Sequence, residues 1–131
     1  MKRKLDKERY PDVVWRVREL VTGKRPAEDE TELHFAQYFK DNQDIWRAFV
    51  RYGHELRDAG NDVGSAWLIV NRIRWDHSLQ GIDENKQFKI SNTYIAMFAR
   101  LYMELGNCPY FFRTKLRKPE QRRLKEAGFD E

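Results

Sequence analysis

The chain has 131 residues, of which 40% are hydrophobic, 14% aromatic and 35% charged, and its formal net charge is +4. This aromatic content excludes a disordered chain and is enough for one domain with an aromatic-rich core. No apolar run approaches the roughly 18–20 residues of a membrane-spanning helix. No apolar segment of a secretory signal follows the basic N-terminus. The single cysteine, Cys108, has no intrachain partner, so we expect a cytoplasmic protein.

The first part of the chain predicts two helices. Pro11 suits the first position of a helix, where its missing N–H costs nothing, and Gly23 can end that helix. Pro26 opens a second helix, residues 27–40, whose acidic first turn suits the positive end of the helix dipole.

The middle of the chain predicts two longer helices. Asn42 can cap a third helix that Gly60 ends, and Asp62 can cap a fourth helix that runs to about residue 79. Apolar residues surround much of the circumference of this fourth helix. We therefore expect it to be the central element of the fold, with Trp67 and Val70 almost fully buried.

The last part predicts two more helices. Ser91 can cap a fifth helix that ends at Gly106, and residues 119–127 form a short basic helix. Residues 110–114 could pair with residues 88–90 as a two-stranded β ribbon. The sequence thus predicts a mainly α fold, a compact orthogonal bundle of about five helices with or without that ribbon. We divide the single domain, 1–131, into a basic N-terminal arm (1–9), a helical core (10–112) and a basic C-terminal segment (113–131).

The charges are segregated along the chain. Residues 1–9 carry a net +3 and residues 26–44 a net −5, while residues 113–125 carry seven cations and one acid, a net +6. Such a basic run attracts phosphates, and the aromatic residues 110–112 before it could stack on unpaired bases. The alternative is that these cations are simply solvated. The candidate nucleic-acid-binding residues are Arg113, Lys115, Arg117, Lys118, Arg122, Arg123 and Lys125.

Signatures of catalysis are missing from the sequence. The three histidines are far apart, and the His54–Glu55 pair lacks the second histidine that a zinc-protease helix needs four residues after the first. There is no phosphate-binding glycine loop and no nucleophile with a base beside it. We therefore expect no catalytic residues, no metal site and no cofactor.

Arg72 and Trp75 form a candidate surface pair. Their i, i+3 spacing places both on one face of the fourth helix, where the guanidinium can lie on the indole ring. The alternative is a core tryptophan whose edge the arginine covers.

Four short motifs lie between residues 62 and 115: RIRW at 72–75, FKI at 88–90 followed by Asn92 and Tyr94, Ala99–Arg100 followed by Met103, and FFRT at 111–114. This pattern resembles a family of small proteins from bacteria, bacteriophages and other mobile elements, to which no activity is assigned. The resemblance implies a bacterial or phage source and places Arg72, Trp75, Tyr94, Arg100 and Arg113 in one structural unit.

These observations favour a small non-enzymatic accessory protein that binds DNA or RNA through its phosphates. Sequence preference should be weak, because the start of the fourth helix offers no side chain suited to reading base edges. The alternative is a protein–protein interaction module, such as a phage-encoded inhibitor of a host protein. Its partner would meet the acidic 27–40 helix through Glu28, Glu30 and Glu32. The oligomeric state is left open.

Overall fold

A computed structural model describes residues 16–81, 90–114 and 117–128. Within these ranges the protein is mainly α-helical, as the sequence predicts. The predicted basic arm, residues 1–9, lies outside the described residues. None of the described helices is both long and apolar enough to cross a bilayer. The helices found in the described ranges are α1 (Val17–Val21), α2 (Glu30–Asp41), α3 (Gln43–Asp58), α4 (Ala66–Leu79), α5 (Asn92–Gly106) and α6 (Lys118–Glu126).

The central helix is α5, which packs against α1, α3 and α4. Every residue from 97 to 103 is buried. A helix buries such an unbroken run when neighbours cover it on all sides. The ring of Phe98 lies at the centre of an aromatic cluster from three helices, and its centroid is 5.4 Å from that of Phe35, 5.8 Å from that of Trp46 and 5.8 Å from that of Phe49.

The prediction that the fourth helix is the most buried one is wrong. Helix α4 buries a single stripe made of Ile69, Val70 and Ile73. Val70 is fully buried, as expected, but 47% of Trp67 and 62% of Trp75 are exposed. Where apolar residues surround a helix, their periodicity does not reveal which stripe faces the core.

The start of α4 also differs from the prediction, whereas Ser91 caps α5 as expected. Helix α4 begins after Ser65, whose hydroxyl oxygen accepts a hydrogen bond of 3.2 Å from the amide of Leu68. A capping oxygen must reach the amide three residues ahead of it, and Asp62 lies too early in the chain to do so for this helix.

The predicted β ribbon is not supported. Residues 88 and 89 lie outside the described residues, and the described ranges contain no strand. Phe112 forms an isolated parallel bridge with Gly64 instead, and the Gly64 amide donates a hydrogen bond of 2.8 Å to the Phe111 carbonyl. This pairing holds the segment after α5 against the start of α4.

Candidate nucleic-acid interface

A pocket of about 610 Å³ lies where three parts of the chain meet. The start of α4 forms one wall with Ser65 and Trp67, and the start of α5 forms another with Asn92 and Thr93. The segment from Arg113 to Arg117, as far as it is described, closes the third side. The pocket therefore combines two helix N-termini with part of the predicted basic segment.

Both helices begin at the pocket, and a capping serine fixes the residue at which each of them starts. Ser65 and Ser91 each accept a hydrogen bond of 3.2 Å from the third amide of their helix. The first two amides of a helix have no acceptor within it and carry the positive end of its dipole. In α4 and α5 these amides belong to residues 66, 67, 92 and 93. All four residues line the pocket. Such amides favour a phosphate or another anion.

Arg113 is held at the rim by the two residues before it. The side chains of Phe111 and Phe112 are buried, and the Phe112 amide lies 3.3 Å from the sulfur of Met103. Gly64 allows this close packing, because a Cβ atom there would lie 2.8 Å from the Phe111 ring. The two buried aromatic rings thus anchor the segment, and the side chain of Arg113 lines the pocket while remaining exposed.

Arg100 lines the inner end of the pocket and is 99% buried, since only 1% of its surface is exposed. Its Nη2 atom lies 3.2 Å from Oε1 of Glu120 in α6, which is also buried. Burial raises the pKa of Glu120 by more than the neighbouring Arg100 lowers it. The pair connects α5 to α6 directly behind the pocket.

Two of the seven predicted nucleic-acid-binding residues are engaged within the protein. Arg117, which precedes α6, donates a hydrogen bond of 2.5 Å to Asp29, and Arg123 donates one of 2.6 Å to Glu28. Burial raises the pKa of Asp29, but the amide of Glu32 and the charge of Arg117 outweigh this effect and hold it below its ordinary value. These ion pairs fasten α6 to the beginning of α2.

Four of the other five predicted cations are exposed, and Lys115 lies outside the described residues. Arg113 is at the pocket rim and the other three belong to α6. Arg117 lines the pocket and directly precedes α6, so the exposed cations of the pocket and of α6 form one basic surface. The exposed cations of this surface are Arg113, Lys118, Arg122 and Lys125.

Of the three acids predicted to face a protein partner, Glu32 is buried, whereas Glu28 and Glu30 are exposed. Glu32 accepts two hydrogen bonds of 2.9 Å from Arg25. Glu28 lies 3.7 Å from Arg25 and 2.6 Å from Arg123, so its carboxylate is engaged within the protein although the residue is exposed.

The predicted pair of Arg72 and Trp75 takes a different arrangement. The guanidinium of Arg72 lies over the ring of Tyr52, 5.1 Å from its centroid, and its Nε is 3.4 Å from Asp76. Arg100 and Arg113 share the pocket, whereas Arg72 lines a separate groove between α3 and α4. Tyr94 packs against the rings of α2.

Sequence reasoning missed Trp67 and Arg100 as parts of this site. Ser65 directly before an apolar run was the available signal for the true start of α4, and it would have placed Trp67 in the first turn. The resemblance groups Arg100 with Arg113, but no local pattern marks Arg100 as part of a pocket, because its position depends on Glu120 and on folding. The described residues contain no group of three or more histidine, cysteine or acidic side chains arranged to hold a metal ion.

No protein-family model, curated protein or solved structure matches this chain. The resemblance to a bacterial and phage family therefore stays a prediction.

Proposed function

We propose that this protein binds nucleic acid through phosphate contacts made at the pocket and along the first turns of α6. The observation that carries the proposal is the meeting of the exposed Arg113 and two helix N-termini at one pocket. Arginine and helix-terminal amides are both common ligands of backbone phosphates in proteins that bind nucleic acid.

The exposed cations next to the pocket extend this surface. Lys118 follows Arg117 directly, Arg122 lies one turn after Lys118 in α6, and both are exposed. A backbone with one phosphate in the pocket could contact these side chains with its next phosphates. Contacts of this kind carry no sequence information, so binding should be weakly specific.

Salt dependence of binding tests the proposal. The variant Arg113→Gln/Lys118→Gln/Arg122→Gln removes three cations of the basic surface. A matched control, Lys24→Gln/Lys40→Gln/Arg47→Gln, removes three exposed cations that do not line the pocket. Fluorescence anisotropy with labelled single- and double-stranded DNA and RNA, at several salt concentrations, compares both variants with the unmodified protein.

We expect the first variant to weaken binding to every sequence. The slope of log affinity against log salt should fall by about 0.7–0.9 for each phosphate contact that is lost. The control variant has the same net charge, so it should keep most of the slope. Equal losses in the two variants, or no binding by the unmodified protein at low salt, would contradict the proposal.

A protein partner is the second candidate, and the exposed apolar face of α4 favours it. Leu68, Trp75 and Leu79 are 58%, 62% and 69% exposed. Clustered exposed apolar side chains are characteristic of protein interaction surfaces. For this function, affinity purification should recover a partner that survives nuclease treatment and is lost from Trp75→Ser/Leu79→Ser but retained by the Arg113 triple variant.

A further inference from the structure

Trp67 occupies an unusual position for a tryptophan. It is the second residue of α4, 47% of its surface is exposed, and it lines the pocket together with Arg113. The buried stripe of α4 does not include it. The core of the protein therefore does not account for this large aromatic side chain on the pocket wall.

An exposed indole and an arginine on the same pocket offer a stacking surface for an unpaired base and a cation for its phosphate. Any base can stack on the face of an aromatic ring, and the neighbouring cation holds the adjoining phosphate. Trp67 is also accompanied by Asn92 and Thr93, whose side chains can form hydrogen bonds with the edge of a base. All of these residues lie on one pocket.

The size of the pocket suits a single nucleotide unit. Its volume of about 610 Å³ lies within the range of roughly 300–1,000 Å³ that is typical of small-molecule sites. A base within a duplex is stacked on its neighbours and must be unstacked, at an energetic cost, before it can enter such a pocket. A single strand avoids much of that cost.

We propose that the pocket selects single-stranded nucleic acid by stacking one unpaired base on Trp67 while Arg113 contacts the adjacent phosphate. This inference rests on the nucleic-acid function proposed above and adds the class of ligand. It differs from the predicted platform at residues 110–112, since Phe111 and Phe112 are buried and Tyr110, which is 44% exposed, does not line the pocket.

Three variants test the stacking contact. Trp67→Ala removes the platform, and Trp67→Phe keeps a smaller aromatic ring. Trp75→Ala is the matched control, because Trp75 is an exposed tryptophan of the same helix that does not line the pocket. The probes are a labelled 15-nucleotide single-stranded DNA, a duplex of the same length, and a 15-unit abasic strand that carries phosphates without bases. Circular dichroism checks that each variant is folded.

We expect Trp67→Ala to weaken binding of the single strand by about 5- to 150-fold, the range that corresponds to loss of one stacked base. Trp67→Phe should recover most of this loss, and Trp75→Ala should bind as the unmodified protein does. Binding of the abasic strand should be the same for all four proteins, because only phosphate contacts remain.

Two results would overturn the inference while leaving the phosphate contacts in place. One is that Trp67→Ala binds the single strand as tightly as the unmodified protein. The other is that Trp67→Ala and Trp75→Ala weaken binding equally, which would indicate a general effect of the α4 surface. Failure of the unmodified protein to bind any of the three probes at low salt would instead overturn both the inference and the proposed function.

Discussion

The guanidinium of Arg100 and the carboxylate of Glu120 meet in the interior of the protein, with Arg100 Nη2 3.2 Å from Glu120 Oε1. At least 96% of each side chain is buried, since 1% of the first and 4% of the second is exposed. Glu120 also accepts a hydrogen bond from the amide of Arg117, a residue of the pocket wall. The ion pair therefore connects the core helix α5, the start of α6 and the pocket.

Removing one partner of this pair should destabilise the protein strongly. Arg100→Met leaves Glu120 as a buried acid without its ion-pair partner, which should cost about 3–5 kcal/mol of unfolding free energy. The double variant Arg100→Met/Glu120→Met should recover much of that loss, because apolar side chains often replace a buried ion pair at little cost. Urea unfolding of the single and double variants measures this coupling. Strictly additive effects would contradict it.

The buried pair of Arg25 and Glu32 should make stability depend on pH in the acidic range. Burial raises the pKa of Glu32, but the hydrogen bonds from Arg25 and from the Glu28 amide outweigh it and hold the pKa below the ordinary value of 4.5. The folded protein then binds fewer protons than the unfolded chain. The contribution of Glu32 is thus present above pH 4.5 and is lost as pH falls through its folded pKa.

Glu32→Gln should therefore cost about 1.5–3 kcal/mol at pH 7, the usual value of hydrogen bonds to a charged group. The difference from the unmodified protein should shrink as the pH falls below 4.5 and through the folded pKa of Glu32, since both proteins carry a neutral side chain at this position once that pKa is passed. Urea unfolding at several pH values measures this difference in unfolding free energy. Glu30→Gln, an exposed change on the same helix, serves as the control, and an equal pH dependence in the two variants would argue against a special role of Glu32.

The location of the core is tested by a second pair of variants. Phe98 is fully buried among aromatic rings, so Phe98→Ala should cost about 3–5 kcal/mol. Trp67 is half exposed, so Trp67→Ala should cost less, about 1–2 kcal/mol on the basis of its buried area. Thermal or urea unfolding that ranks the two variants in the opposite order would place the core around α4 instead of α5.

The parts of the fold that the sequence predicted well carry local signals. Ser91 caps α5 and Gly106 is its last residue, as expected, because capping signals act within one turn of the helix, although the left-handed residue that ends it is Asn107. The burial of α4 was predicted wrongly, because both it and α5 are apolar around much of their circumference. Which of two such helices lies at the centre depends on their neighbours, and single-sequence periodicity contains no information about neighbours.

The basic segment was identified from the sequence, but which of its cations form ion pairs and which are exposed was not. Arg117 and Arg123 pair with acids 88 and 95 positions away along the chain, and Arg113 reaches the pocket because Phe111 packs against Gly64. Each of these contacts exists only after α2, α4 and α6 have come together. A count of local charge treats all seven cations alike, whereas the folded protein leaves four of the described ones exposed.

The ion pairs between α6 and α2 lead to the last prediction, which separates the two candidate functions. Asp29→Asn/Glu28→Gln removes the acids that hold Arg117 and Arg123. Asparagine remains a good N-cap for α2, and partly exposed ion pairs contribute about 0–1 kcal/mol each, so the variant should stay folded. Both arginines then lose these ion pairs, and Arg117 at the pocket wall can contact a phosphate instead of Asp29. If nucleic acid binds at this surface, affinity should rise, and the salt slope should steepen by about 0.7–0.9 for each phosphate newly contacted.

The control for this prediction is Glu30→Gln/Asp44→Asn, which removes the same charge from two exposed acids of α2 and α3. It should raise affinity slightly through net charge and leave the salt slope nearly unchanged. A protein that binds a partner through the exposed apolar face of α4 should show no such rise, because neither variant alters that face. Anisotropy titrations at three salt concentrations decide between them, since an unchanged slope for both variants would show that Arg117 and Arg123 do not contact phosphates even when their acids are removed.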